Sequence, residues 1–277
     1  MTNLAFSKVN TFLIGAQKCG TTTLAKALRE HPDVSLPLVK ETNFFSIGKY
    51  SIHSYHKNFD FSKIIRVDAS TSYSMKHRYN GVAKKIYDYN KRAKILYLVR
   101  NPIDRIESHF NFQLAKGYNQ SLDDILLDKH FVSNSLYYYQ IKDYIKYFGK
   151  DLIFVIDFHE LVDNNSKTLS AILNFLEIPD KIIAVTHENE SIGIPRVPSR
   201  LFNKITSNRW ISFILGLSPR FRGALRIIIK FFSAVELKQK VILPLEIKLE
   251  LEKITSDDLK KMEKEFAIKL DRHSKNG

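Results

Sequence analysis

Thr11-Phe12-Leu13-Ile14-Gly15-Ala16-Gln17-Lys18-Cys19-Gly20-Thr21-Thr22-Thr23-Leu24 joins an apolar β-type run to a helix-forming stretch through a short turn. Val9 to Gly15 reads as a strand, residues 16–20 as a loop, and Thr21 to about Glu30 as a helix. Glycines let such a turn be tight, and successive backbone N–H groups at a helix start make a site for a phosphate dianion. Thr21 and Thr22 can add hydroxyl donors. A nucleotide triphosphatase loop needs Gly-x4-Gly-Lys-Ser/Thr. Gly15 and Gly20 have that spacing and Thr22 holds the Ser/Thr position, but residue 21 is Thr and the lysine is Lys18. A lysine at the helix start reaches the β and γ phosphates of a triphosphate. Lys18, inside the turn, is placed instead beside a group attached to a single 5′-phosphate.

Working outward, Lys63 to Asp68 (KIIRVD), Lys94 to Arg100 (KILYLVR) and Asp151 to Asp157 (DLIFVID) are further strand-like runs. Helical stretches are expected at roughly 80–90, 103–117, 134–149 and 166–176, the second opening with Pro102 in its first turn. Strand, crossover and strand in this order predict an α/β fold, a parallel sheet flanked by helices, with ligands at the carboxyl ends of the strands. Arg100, not Asp, ends the strand at 94–100, so a Mg²⁺-holding acidic strand end is not apparent. A kinase or NTPase is therefore the disfavoured alternative. Residues 186–200 read as an irregular loop punctuated by Gly193, Pro195 and Pro198, and 244–270 as a charged helical tail opening with Pro244. Residues 205–235 mix apolar and basic positions, read as helices packed on the core, with peripheral contact to a membrane or anionic surface through 205–232 as the alternative. With no repeat or low-complexity linker, one domain over 1–277 is expected: a core at about 9–180 and an irregular, then helical C-terminal part at about 181–277.

The chain of 277 residues carries 43 basic and 29 acidic residues, a net charge of +14, which attracts anionic ligands of many kinds. Its single cysteine, Cys19, cannot form an internal disulfide. No signal-like segment and no apolar stretch near the roughly 20 residues that span a bilayer is present, so a soluble, cytoplasmic protein is expected. No His/Cys/Asp cluster has metal-ligand spacing, and 205–232 matches no nucleic-acid module, so neither a metal nor a nucleic-acid partner is expected.

Leu98-Val99-Arg100-Asn101-Pro102-Ile103-Asp104-Arg105-Ile106-Glu107-Ser108-His109-Phe110 places Arg100 at a strand end and Ser108 about two turns into the next helix. An arginine fork and a hydroxyl could converge there on one phosphate. Together, FLIGAQKCGTTTL and YLVRNPIDRIESHF resemble the 5′-phosphosulfate loop and the 3′-phosphate motif of sulfotransferases that use 3′-phosphoadenosine-5′-phosphosulfate (PAPS). The resemblance covers roughly residues 9–180. It implies a P-loop-like sheet, Lys18, Cys19, Gly20, Thr21, Thr22 and Thr23 at the 5′-phosphate, and Arg100 with Ser108 at the 3′-phosphate. Lys18 would neutralise the departing oxygen.

Lys40-Glu41-Thr42-Asn43-Phe44-Phe45 resembles the Lys-Glu-x-x-Phe-Phe pattern of carbohydrate sulfotransferases, including the heparan sulfate group, in which the Glu is the catalytic base. That role falls on Glu41, and a carbohydrate or glycoconjugate hydroxyl becomes the expected acceptor, with lipid and secondary-metabolite alcohols as alternatives. Two departures stand out. Ala69 occupies a place that often carries an active-site lysine, leaving Lys40 or Lys76 as substitutes, and no disulfide can close a loop over the nucleotide. Arg196 and Arg200 in the loop 192–200 are candidates for that covering role. His53, His56, His77 and His109 match no base motif and are read as solvated or capping, with His109 pointing away from the face that carries Ser108. A non-catalytic binder of anionic ligands is disfavoured because Lys18 and Glu41 are both present.

Overall fold

A computed structural model describes residues 8–48, 50–116, 121–122, 124–180 and 240–270. Arg196, Arg200 and the stretch 205–232 lie outside the described residues. Strands β1 (Thr11–Gly15), β2 (Val34–Ser35), β3 (Ile65–Asp68), β4 (Lys94–Val99) and β5 (Ile153–Asp157) form one parallel sheet in the order β2-β3-β1-β4-β5. Thr11 of β1 sits opposite Val67 on one side and Lys94 on the other. All five residues of β1 are buried, which is why it reads as a continuous apolar run rather than an alternating one. From β1 the chain crosses to β2 at the edge, returns through β3 beside β1, and then builds out through β4 and β5 on the other side, so the winding changes side at β1. The carboxyl ends of β1 and its neighbours are thus the expected ligand crevice.

Helices α1 (Thr21–Arg29), α2 (Phe44–Ile47), α3 (Ile52–His56), α4 (Val82–Tyr89), α5 (Pro102–Ala115), α6 (Asp124–Leu127), α7 (Lys129–Ser133), α8 (Tyr137–Phe148), α9 (Phe158–Asp163) and α10 (Asn165–Leu176) flank the sheet. The C-terminal helix α11 (Leu245–Phe266) follows, with Pro244 as its N-cap. The strands and longer helices fall within a few residues of their sequence-predicted positions. The two-residue β2, the short α2 and α3, and α9 were not expected, because elements this short carry no measurable periodicity.

Helix α5 is fixed at both ends of its first turns. The Asn101 side chain accepts from the N–H groups of Ile103 (2.9 Å) and Asp104 (3.2 Å), a cap that contributes about 1 kcal/mol. Its amide donates to the Leu270 carbonyl at 3.1 Å. Further along, Asn111 exchanges two 2.8 Å hydrogen bonds with the backbone of Val241, and the Leu243 N–H donates to Glu107 at 3.1 Å. Leu243 and Leu251 complete an apolar cluster with Ile103, Ile106, Phe110 and Phe131. Helix α8 has no cap of its own; Asp258 of α11 accepts the N–H groups of Tyr138 and Tyr139, both at 2.8 Å. The C-terminal segment therefore braces the helix that follows β4.

Candidate active site

The turn after β1 needs glycine at two positions. Gly15 has φ +151°, and a Cβ there would lie 2.2 Å from Ser74 Oγ in the 3₁₀ turn Thr71–Ser74. Gly20, the N-cap of α1, has φ +84°, and a Cβ there would meet the Phe158 ring at 2.8 Å. Leu24 N–H donates to Gly20 at 3.1 Å, so the amides of Thr21, Thr22 and Thr23 precede the first intrahelical bond. With no side chain capping α1, these amides form an open positive end. Thr22 is exposed, whereas Thr21 and Thr23 are buried. The Cys19 side chain faces the core: it is wholly buried, 3.7 Å from the Tyr137 hydroxyl, and burial pushes its thiol up to about 11. Only its backbone is available to the turn.

Arg100 follows the last residue of β4. Its guanidinium lies 4.6 Å over the Phe158 ring and 3.6 Å from Asp104 Oδ2. Asp104, Ser108 and Phe112 succeed one another at four-residue intervals and share one stripe of α5. At the far end of that stripe the Lys18 ammonium sits 4.2 Å from the Phe112 ring centroid. The turn's lysine, Ser108 and Arg100 thus lie along a single helix face. Phe158, the first residue of α9, touches both motifs, abutting Gly20 and carrying Arg100. Its role was not visible in the sequence.

The Lys40-Glu41 loop docks against the same helix end. Lys40 donates to Thr21 Oγ1 at 3.0 Å and lies 3.3 Å from Glu41 Oε1. Thr71 donates to the same carboxylate oxygen at 3.1 Å. The Glu41 side chain is 38% exposed, open to an incoming molecule, against 19% for Lys40. Burial lowers the Lys40 pKa, with Glu41 pulling the other way. Of the two substitutes for the lysine absent at Ala69, Lys40 reaches the loop, while Lys76 pairs with Asp143 on α8 at 2.6 Å. Asp68 closes β3 next to β1, where the run KIIRVD ends. It is wholly buried and its oxygens accept hydroxyls from Thr42, Ser70, Tyr55 and Tyr73, so it presents none of them to a ligand. Among the described residues, no group of three or more His, Cys, Asp or Glu could hold a metal ion.

The side-chain partners of Glu41 are Lys40 and Thr71, not a histidine. His53 is exposed and His56 bonds the Tyr89 hydroxyl at 2.8 Å. His77 contacts His130 at 3.1 Å, and His109 is wholly buried rather than solvated, its Nε2 3.1 Å from Gln113. Burial, helped by the neighbouring Arg105, pushes the His109 pKa down to about 2. The ring stays neutral in the fold but takes a proton near pH 6.5 once unfolded. Below pH 6.5 the unfolded state binds the extra proton, so stability falls as pH falls, by about 1.4 kcal/mol per pH unit for one such group. Thermal melts between pH 6.5 and 5 are expected to show this decline, and His109→Gln to lessen it, the remainder coming from groups such as His130, whose pKa burial holds down to about 4. An unchanged slope in that variant would remove His109 as the cause.

Residues 8–191 match the family model described as a sulfotransferase domain. The chain belongs to the sulfotransferase family. Members of this family use PAPS. Among its relatives is human heparan sulfate glucosamine 3-O-sulfotransferase 5, 27% identical over 191 residues that cover 61% of this chain and 54% of that one. Another is the bifunctional heparan sulfate N-deacetylase/N-sulfotransferase 1 of Caenorhabditis briggsae, 26% identical over 195 residues, 61% of this chain and 22% of that one. This member of the family therefore spans about half the length of the first relative and far less of the second. A sulfotransferase from Alicyclobacillus acidocaldarius superposes with a TM-score of 0.59 at 26% identity, covering 66% of this chain and 87% of that one. The parallel sheet with flanking helices is the family's fold.

Proposed function

We propose that this chain transfers a sulfuryl group from PAPS to a hydroxyl of a carbohydrate or glycoconjugate. The observation that carries the reading is the docking of Glu41 against the start of α1 through Lys40, which puts an open carboxylate beside an open phosphate cradle. The residues fit the donor. The α1 amides and the glycine turn suit a 5′-phosphate. Arg100 and Ser108 suit the second phosphate that PAPS has and a simple nucleotide lacks. The carbohydrate acceptor is supported by the Lys-Glu-x-x-Phe-Phe sequence and by the heparan sulfate enzymes among the relatives.

PAPS, when bound, supplies the sulfuryl group and a nucleotide leaving group. Glu41 accepts the proton of the acceptor hydroxyl as that oxygen bonds to sulfur. Lys18 and the α1 amides receive the negative charge that develops on the bridging oxygen as its bond to sulfur breaks. Thr71 and Lys40, both bonded to Glu41, hold its carboxylate in place. Thr22 and Thr23 complete the α1 cradle, and Cys19 contributes its backbone.

Calorimetric titration with the desulfated nucleotide PAP, set against ATP with Mg²⁺, tests the donor site. PAP is expected to bind, Arg100→Ala to weaken it by roughly 10- to 100-fold through loss of a charge-assisted phosphate contact, and ATP to bind poorly. ATP binding as strong as PAP binding would sink the proposal in favour of a nucleotide triphosphatase. Transfer of labelled sulfate to a panel of desulfated glycans then reads the acceptor.

A further inference from the structure

Asp68 has no place in the reaction outlined above, yet it is a carboxylate with no exposed surface. Removing such a group from water costs several kcal/mol unless other donors replace the solvent. Four hydroxyls do so: Ser70 at 2.6 Å, Thr42 and Tyr73 at 2.7 Å, and Tyr55 at 2.9 Å. Burial raises the carboxyl's pKa while these donors lower it. They come from three places: Thr42 adjoins Glu41, Ser70 and Tyr73 follow β3, and Tyr55 belongs to α3.

Two of the hydroxyls relay the anchor onward. Having donated to Asp68, Ser70 Oγ accepts the Asn43 N–H at 3.0 Å, and Tyr73 accepts the Phe45 N–H at 3.3 Å. Thr42, Asn43 and Phe45 are consecutive or nearly consecutive members of the loop that carries Glu41. Thr71, next to Ser70, holds Glu41 itself. We propose that Asp68 is a positioning residue, whose hydroxyl contacts lock the loop 41–45 onto the turn after β3 and so fix the Glu41 carboxylate beside the start of α1. The inference rests on the reading of Glu41 as base.

Thr42 and Tyr55 donate to the same oxygen of Asp68, but only Thr42 adjoins Glu41. Tyr55→Phe removes one hydrogen bond of about 1 kcal/mol, whereas Thr42→Val removes the bond to Asp68 together with the acceptor of the Phe44 N–H at 3.3 Å and a 3.2 Å contact with the Tyr73 hydroxyl, so Thr42→Val is expected to lower thermal stability the more. Turnover of labelled PAPS with desulfated heparan should separate them. Thr42→Val is expected to lose roughly 10- to 100-fold in kcat through misplacement of the base, with the KM for PAPS within about twofold, Thr42→Ser to recover it, and Tyr55→Phe to stay near the parent. A second readout needs no acceptor: the Glu41 carboxyl, labelled with ¹³C and assigned by its loss in Glu41→Gln, is observed by NMR with PAP bound. Its chemical shift is expected to move in Thr42→Val, because the carboxylate leaves the Thr71 donor, and to stay unmoved in Tyr55→Phe. Equal effects of the two variants on kcat and on that chemical shift would reduce Asp68 to a structural role. Parent-level turnover in Glu41→Gln would overturn the base itself, a separate failure.

Discussion

Glu41→Gln is expected to lower turnover by about 10²- to 10⁴-fold, the usual worth of general-base catalysis, while PAP binding and the melting temperature stay close to the parent values. The substitution is nearly isosteric. Its amide oxygen can still accept from Thr71 and Lys40, which lie 3.1 and 3.3 Å from Oε1, so the loop has no reason to move. What the amide lacks at neutral pH is the capacity to take the acceptor's proton. Single-turnover transfer of labelled sulfate from PAPS, together with PAP calorimetry on the same preparation, reads both halves of the expectation. A variant that keeps more than about a tenth of the parent's turnover would show that the proton leaves by another route, and Lys40 would become the group to examine.

Gly20→Ala carries the second large effect, and it acts on folding and donor binding together. The left-handed φ of +84° costs a residue with a side chain about 1–3 kcal/mol. The new methyl would also lie 2.8 Å from the Phe158 ring, so that ring must shift. Phe158 in turn supports the Arg100 guanidinium at 4.6 Å. The expected result is a melting temperature lower by roughly 5–10 °C and PAP affinity reduced by at least about tenfold, similar in direction to Arg100→Ala. A control at Gly81, where a Cβ would meet nothing within 4 Å, carries the backbone strain of its φ of +76° without the clash. Equal loss of PAP affinity in both alanine variants would dismiss the coupling through Phe158.

The local motifs were legible because each is contiguous. The phosphate turn, its strand and helix, and the Arg100 to Ser108 spacing are set by neighbours in sequence, and the structure places Lys18, Ser108 and Arg100 along one face of α5. Glu41 was legible only as part of a resemblance. Its partner Thr71 stands 30 residues away, Thr21, which receives the neighbouring Lys40, lies 19 residues from that lysine, and nothing in the chain's periodicity joins them. Asp68 was legible only as the end of the run KIIRVD, because its four hydroxyl donors arrive from positions 42 to 73. His109 was placed on the correct side of its helix but given water it does not have, since Phe131 and His130 cover it from α7. Phe158 escaped notice because an aromatic residue after a strand looks like ordinary core.

The family match stops at residue 191, but the fold does not. Asp258 supplies the acceptor for two amides of α8, Val241 and Leu243 are tied to α5, and Leu270 holds the Asn101 side chain. The described fold therefore draws on residues 8–180 and 240–270 together. A fragment cut at the edge of the family match would uncap α8 and strip the apolar cover from the helix that bears Ser108. Any exchange of parts among relatives has to carry residues 8–180 and 240–270 as one inheritance.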